Sequence, residues 1–174
     1  MTQHQGALDG LCGPYAIVNA FELLDYRRLD RVFRTACSAI ARSRWPEVLW
    51  KGTTLRDLKQ MITACRKELS NTNYIDVQYP FYQSPAATNN VYWGEFDEQF
   101  SHDRTVCCII GIKKPFDHWI VAGRDGGRVQ FWDADPHQPE FRKNRKSLFA
   151  GERHRWPNQW LLDRDGLIVF RKLN

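Results

Sequence analysis

The sequence predicts an α+β domain, with N-terminal helices packed on a C-terminal antiparallel sheet. Three observations carry this. Apolar residues recur at three- and four-residue spacing through residues 14–69, as on one face of a helix. From Tyr74 onward the apolar period shortens towards two, the mark of half-buried strands. The helical segments precede most of the strands, with no internal repeat, which separates an α+β plan from an alternating βαβ one. With 174 residues, 43% of them hydrophobic and 13% aromatic, the chain fits one packed domain over 1–174.

Pro14 presets the backbone of a first helical turn, and Ile17, Ala20, Phe21 and Leu24 then share one face. Leu29, Val32, Phe33, Ala36 and Ile40 repeat at three and four, giving a second helix over 30–43 with Asp30 as its cap. Residues 45–52 break the pattern. Thr54-Leu55-Arg56-Asp57 opens a third helix that turns Leu55, Leu58, Ile62, Cys65 and Leu69 inward. Residues 74–79 alternate as a strand that Pro80 stops, 83–92 form a polar loop, and Trp93, Phe96 and Phe100 mark a short helix. Residues 106–112 are apolar on both faces, as a central strand is. Residues 118–122 and 129–133 flank Arg124-Asp125-Gly126-Gly127 and form a hairpin. Residues 134–155 read as a polar loop with one helical turn, and 160–171 as a closing hairpin turning at Asp163-Arg164-Asp165-Gly166.

The chain carries 25 Lys and Arg against 20 Asp and Glu, a formal charge of +5. That excess is mild, and the basic residues are not interleaved with aromatics, so a nucleic-acid partner is unsupported. Arg142-Lys143-Asn144-Arg145-Lys146 reads as a solvated loop, and Arg27, Arg28, Arg31 and Arg34 as a solvent-facing side of a helix. No apolar run reaches the length of a membrane span, and the N-terminus lacks a signal-peptide pattern, so no membrane is expected and a cytoplasmic location is. The five cysteines, Cys12, Cys37, Cys65, Cys107 and Cys108, form no CxxC pair and suggest neither a disulfide framework nor a zinc site. A reducing compartment fits them, and no cofactor or metal is expected. Cys107 and Cys108 point to opposite faces of a strand and read as small core residues.

Cys12 differs from the other four because it directly precedes a helix start. There the free backbone N–H groups and the helix dipole stabilise a negative sulfur. A thiolate nucleophile needs an imidazole, and the imidazole needs a group to orient it. His118 begins one strand of the central hairpin and Asp133 ends the other, so folding about the turn brings them together. Asp135 and Asp117 are rivals for the orienting role; Asp133 is preferred because it directly terminates the strand and pairs best in register with His118. Trp119, beside the histidine, either walls a substrate groove or packs on the helices.

A cysteine opening the first long helix, His-Trp on a later strand and an acid ending the next resemble the papain-like cysteine peptidase superfamily. Leu11-Cys12, Asn19, the upstream His4 and the Cys-to-His and His-to-acid intervals are similar to Josephin deubiquitinases. Cys12-Gly13-Pro14 and the use of Asp are similar to peptidases that trim bacteriocin leaders. The match covers residues 4–21 and 117–136. It implies a papain-like fold, with Cys12 as nucleophile, His118 as general base and acid and Asp133 as orienting acid, acting on a protein or peptide substrate through a thioester. It also implies a Gln that holds the oxyanion. Gln5 is the candidate, although it precedes the cysteine by seven positions where such families use five or six. Asp9-Gly10-Leu11-Cys12 is similar to the Asp-Gly-Asn-Cys segment of ovarian-tumour-type deubiquitinases, in which loop backbone helps to hold the oxyanion. Tyr15 stands where Josephin helices carry a second histidine. Two alternatives share these residues: a transglutaminase-like acyltransferase with the same triad, and a non-catalytic papain-like binding module.

Overall fold

The computed structural model describes residues 10–69, 74–135, 137–153 and 156–173. Four helices come first: α1 (Cys12–Leu23), α2 (Leu29–Ser38), α3 (Trp45–Lys51) and α4 (Leu55–Glu68). Then follow β1 (Ile75–Gln78), α5 (Asn89–Ser101), β2 (Thr105–Lys114), β3 (His118–Asp125), β4 (Arg128–Trp132), β5 (Glu140–Asn144), β6 (Leu148–Ala150) and β7 (Trp160–Lys172). The strands join in the order β1-β7-β2-β3-β4-β5, all antiparallel, with β6 added parallel to β7.

The sheet separates two hydrophobic clusters. On one face α1, α2 and α4 pack against Cys107, Ile109, Val121, Ile168 and Phe170. On the other, Tyr92, Trp93 and Phe96 of α5 cover Cys108, Ile110, Ile120 and Val169. Cys107 and Cys108 thus enter opposite cores, as strand alternation requires. No helix among the described residues is long and apolar enough to cross a membrane.

Several elements depart from the sequence expectation. α2 ends at Ser38 rather than 43, because the amides of Ala39 and Ile40 bond back three residues to Ala36 and Cys37 and tighten the last turn. Arg28, not Asp30, holds its N-cap position, and no side chain caps it; Asp30 lies in the first turn. Residues 45–51 are helical, started by Pro46 and spanned by a Glu47–Lys51 ion pair of 3.1 Å. Val48 is the one buried residue of α3, so no period was there to read. α5 begins at Asn89, inside the expected loop, with the Thr88 hydroxyl accepting from the Val91 amide.

Residues 134–155 contain two strands. β5 pairs with β4, stacking Phe141 on Phe131 at 5.1 Å. The basic cluster therefore occupies a sheet edge, where Lys143 lies 4.1 Å above the Trp160 ring and Arg145 makes two hydrogen bonds to Asp97. The expected closing hairpin is one continuous strand. Ile110 pairs with Leu167 and Ile112 with Leu162, so residues 163–166 leave the ladder as a bulge. Both halves of β7 lie along β2, an arrangement that period alone cannot distinguish from a turn.

The start of α4 is fixed by a reciprocal cap: the Thr54 hydroxyl accepts from the Asp57 amide at 3.3 Å, and Asp57 accepts from the Thr54 amide at 2.9 Å. Arg44 ion-pairs with the buried Asp57. Burial opposes ionisation of Asp57, but hydrogen bonds from Thr54 and the Arg44 guanidinium hold its carboxyl below the usual range. A depressed carboxyl stabilises the fold above the unfolded value and loses that contribution as pH falls through the folded one. Asp57→Ala should lower stability by about 2 kcal/mol, read as a lower urea midpoint at pH 7.

Candidate active site

α1 starts at Cys12 with no side-chain cap and no acidic residue in its first turn. The Cys12 and Gly13 amides therefore have no partner within the helix, and the positive end of the dipole is not offset locally. Cys12 is 6% exposed. α1 packs across β2 and β3, which sets its N-terminus beside the first residue of β3, His118.

His118 Nε2 lies 2.6 Å from Asp133 Oδ1, with side chains 13% and 7% exposed. An ionised carboxylate only accepts, so Nε2 carries the donated hydrogen and Nδ1 is left for Cys12. The last paired residues of the hairpin are Val121 and Trp132, and Asp133 reaches His118 from one step beyond that ladder rather than from directly across it. Its backbone is held there by a 2.8 Å bond from its amide to the Pro139 carbonyl, and the Asp135 amide donates to Oδ1 at 3.3 Å. Asp135 is exposed and accepts from the His137 amide, while Asp117 is exposed on the cleft wall. Gln5, His4 and Asp9 lie outside the described residues.

Burial disfavours charge on His118. Hydrogen bonding with Asp133 and Cys12 and attraction to both outweigh it, raising the imidazole to about 9. Across the neutral range the ring thus favours the imidazolium form, between the Cys12 sulfur and the Asp133 carboxylate. Phe116, 47% exposed, sets its ring edge-on 5.5 Å from the His118 ring and 5.7 Å from Trp160, screening one side of the imidazole.

A cleft of about 400 Å³ opens at this point, lined by Cys12, His118, Trp119, Thr53 and Asp163 among others. Trp119 both walls it and packs: the indole Nε1 donates to the buried Thr53 carbonyl at 2.7 Å, tying the segment after α3 to the sheet. That segment turns at Gly52, whose φ of +76° lies in the region that glycine adopts without strain. Gly13 is required for another reason. A Cβ there would fall 2.0 Å from Thr53 Oγ1 and 2.8 Å from Leu58 Cδ1. Gly13→Ala should therefore cost about 1–3 kcal/mol and displace the adjacent cysteine, read as a lower Tm together with slower alkylation of Cys12.

Thr53, Phe116 and the bulge at 163–166 escaped the sequence reading. Thr53 and Phe116 carry no motif, and the bulge has the composition of a turn. The offset of Gly52 from the helical pattern was the available signal for the first.

No protein-family model matches the sequence, and neither does any curated protein. Among solved structures, the chain is similar to the peptidase domain of Streptococcus ComA, a bi-functional ABC transporter involved in a quorum-sensing pathway. The TM-score is 0.52 at 16% identity, covering 99% of this chain and 97% of that one. Helices at the N-terminus and a C-terminal antiparallel sheet give this chain the α+β arrangement of the papain-like peptidase fold.

Proposed function

We infer that the protein is a cysteine peptidase or isopeptidase that hydrolyses an amide bond of a protein or peptide substrate through Cys12, His118 and Asp133. The observation that carries this reading is the placement of a largely buried imidazole, raised to about 9, between the Cys12 thiol at a helix N-terminus and the Asp133 carboxylate. A cleft of about 400 Å³ opens onto the same sulfur.

In the reaction, the Cys12 thiolate attacks the carbonyl carbon, and the electron pair moves onto the oxygen. The Cys12 amide, free of helical bonding, donates to that oxyanion, and the resemblance to such peptidases assigns the role of second donor to Gln5. Collapse breaks the C–N bond while the imidazolium of His118 gives its proton to the leaving amine. Water then attacks the thioester carbonyl; His118 takes the proton from water, and expulsion of the thiolate restores the ion pair. Asp133 keeps the ring in the required tautomer and stabilises its positive charge throughout.

Because the raised imidazole is charged below about 9 and loses its proton above, the rate constant kcat/KM should have an alkaline limb near that value. The same linkage makes the His118 contribution to stability complete below the unfolded histidine value of about 6.5 and lost as pH rises through about 9. Proteome-wide identification of new termini tests the reaction: wild type should generate a defined set that Cys12→Ala does not. Identical termini from both proteins would remove the reading.

A further inference from the structure

We propose that the cleft selects a substrate carrying a cationic side chain, Lys or Arg, close to the scissile bond, seated on Asp163 and Asp165. The proposal rests on the hydrolase reading above and adds a substrate class to it.

The first observation is the bulge. Where β7 leaves its ladder with β2, residues 163–166 turn two carboxylates into the cleft that also holds Cys12 and His118. Bulges next to reactive centres re-aim side chains in this way. The segment is held from outside the cleft: the Arg164 carbonyl accepts from the Ala86 amide at 3.0 Å and the Arg164 guanidinium pairs with Glu152 at 3.1 Å. The carboxylates are thus placed before any substrate arrives.

The second observation is the shortage of cations on that wall. Lys113 pairs with Asp163 at 2.6 Å and, apart from His118, which is engaged by Asp133 and Cys12, is the one basic residue on the sheet side of the lining, which also carries Asp117, Asp163 and Asp165. Burial and a hydrogen bond with Asp163 raise the Asp165 carboxyl, so the two acids compete for one counter-ion. A cation brought by the substrate favours the charged form of Asp165. The opposite wall carries Lys51, paired with Glu47, and Arg56 at the start of α4. Their charge repels an incoming cation from the helix side and steers it to the bulge.

The third observation concerns Thr53. It is 8% exposed and lines the same cleft, and its hydroxyl has no hydrogen-bond partner among the described residues. A buried polar group without a partner is costly, so this wall beside Gly13 is polar and unsatisfied.

Tripeptide chloromethyl ketones that alkylate Cys12 test the proposal, with Lys, Ala or Glu placed at each of the three positions in turn on an Ala background. In the wild-type protein, at least one Lys probe should react about tenfold or more faster than the all-Ala probe, the lower range for a partly desolvated charge pair, with Glu at that position slowest. Asp165→Asn should reduce the Lys-to-Ala ratio towards one. Equal rates for the three side chains, or a Lys preference that survives Asp165→Asn, would overturn it. The wild-type ratio stands by itself should the variant fail to fold. Iodoacetamide on wild type and His118→Ala separates the two levels: His118-dependent alkylation of Cys12 without Lys preference refutes the specificity alone, whereas an unreactive Cys12 in wild type refutes the hydrolase reading beneath it.

Discussion

Cys12→Ala should reduce peptide-bond hydrolysis by roughly 10⁴–10⁶-fold while leaving the fold in place. The size follows from the loss of covalent catalysis: without the sulfur no thioester forms, and water must attack an unactivated amide directly. The fold should survive because the lost atom is one sulfur at the edge of a core cluster held chiefly by Ile17, Phe21, Leu58 and Ile62. An unchanged thermal transition together with hydrolysis reduced to that residual level is the expected pair of results. His118 should respond in the same protein, since Cys12 is one of the groups that raise its pKa. Its titration, followed by NMR, should move below about 9 when the sulfur is removed.

Asp133→Ala should lower kcat/KM by roughly 10²–10⁴-fold, since the imidazole loses both its orientation and the negative charge that stabilises its protonated form. The hydrogen bond and attraction from Asp133 both raise the His118 pKa, so the alkaline limb of the rate profile should move from about 9 to lower pH. Asp133→Asn separates the two contributions. An amide oxygen still accepts from Nε2, so orientation and part of the rate should return, while the limb stays displaced because the charge is gone. A merely structural role for Asp133 would reduce the amount of folded protein without moving that limb.

The central features of the site were legible because each was written in a short stretch. Cys12-Gly13-Pro14 announced a helix start, and the turn at Asp125-Gly126-Gly127 announced the hairpin that carries His118 towards Asp133. Local signals of this kind survive folding, and the Thr54–Asp57 cap is another. What the sequence could not announce depended on distant partners. α3 has one buried residue and no amphipathic stripe. β5 and β6 are recognised only by pairing with β4 and β7; the basic residues of β5 suggested a loop, and β6 is three residues long. Asp163-Arg164-Asp165-Gly166 has ideal turn composition, yet β2 continues past it and holds both flanks of β7 in one line. A bulge and a turn differ by what lies opposite, and the local sequence does not contain that. The helix marked by Trp93, Phe96 and Phe100 is α5, but its polar first turn hid its start at Asn89, and its place as a second layer on the far face of the sheet depends on distant partners.

The central claim is that Cys12 and His118 form one reactive unit. Its most direct measurement is the rate of iodoacetamide alkylation at pH 6.5, mapped to individual cysteines, in wild type and in His118→Ala. Cys65, Cys107 and Cys108 are buried, and burial raises the Cys37 thiol to about 11, so these four should react slowly in the folded protein. The account predicts that Cys12 reacts faster than it does in the denatured chain, and that His118→Ala removes this advantage. A Cys12 no more reactive than an unfolded thiol, or one whose reactivity is indifferent to His118, would contradict it.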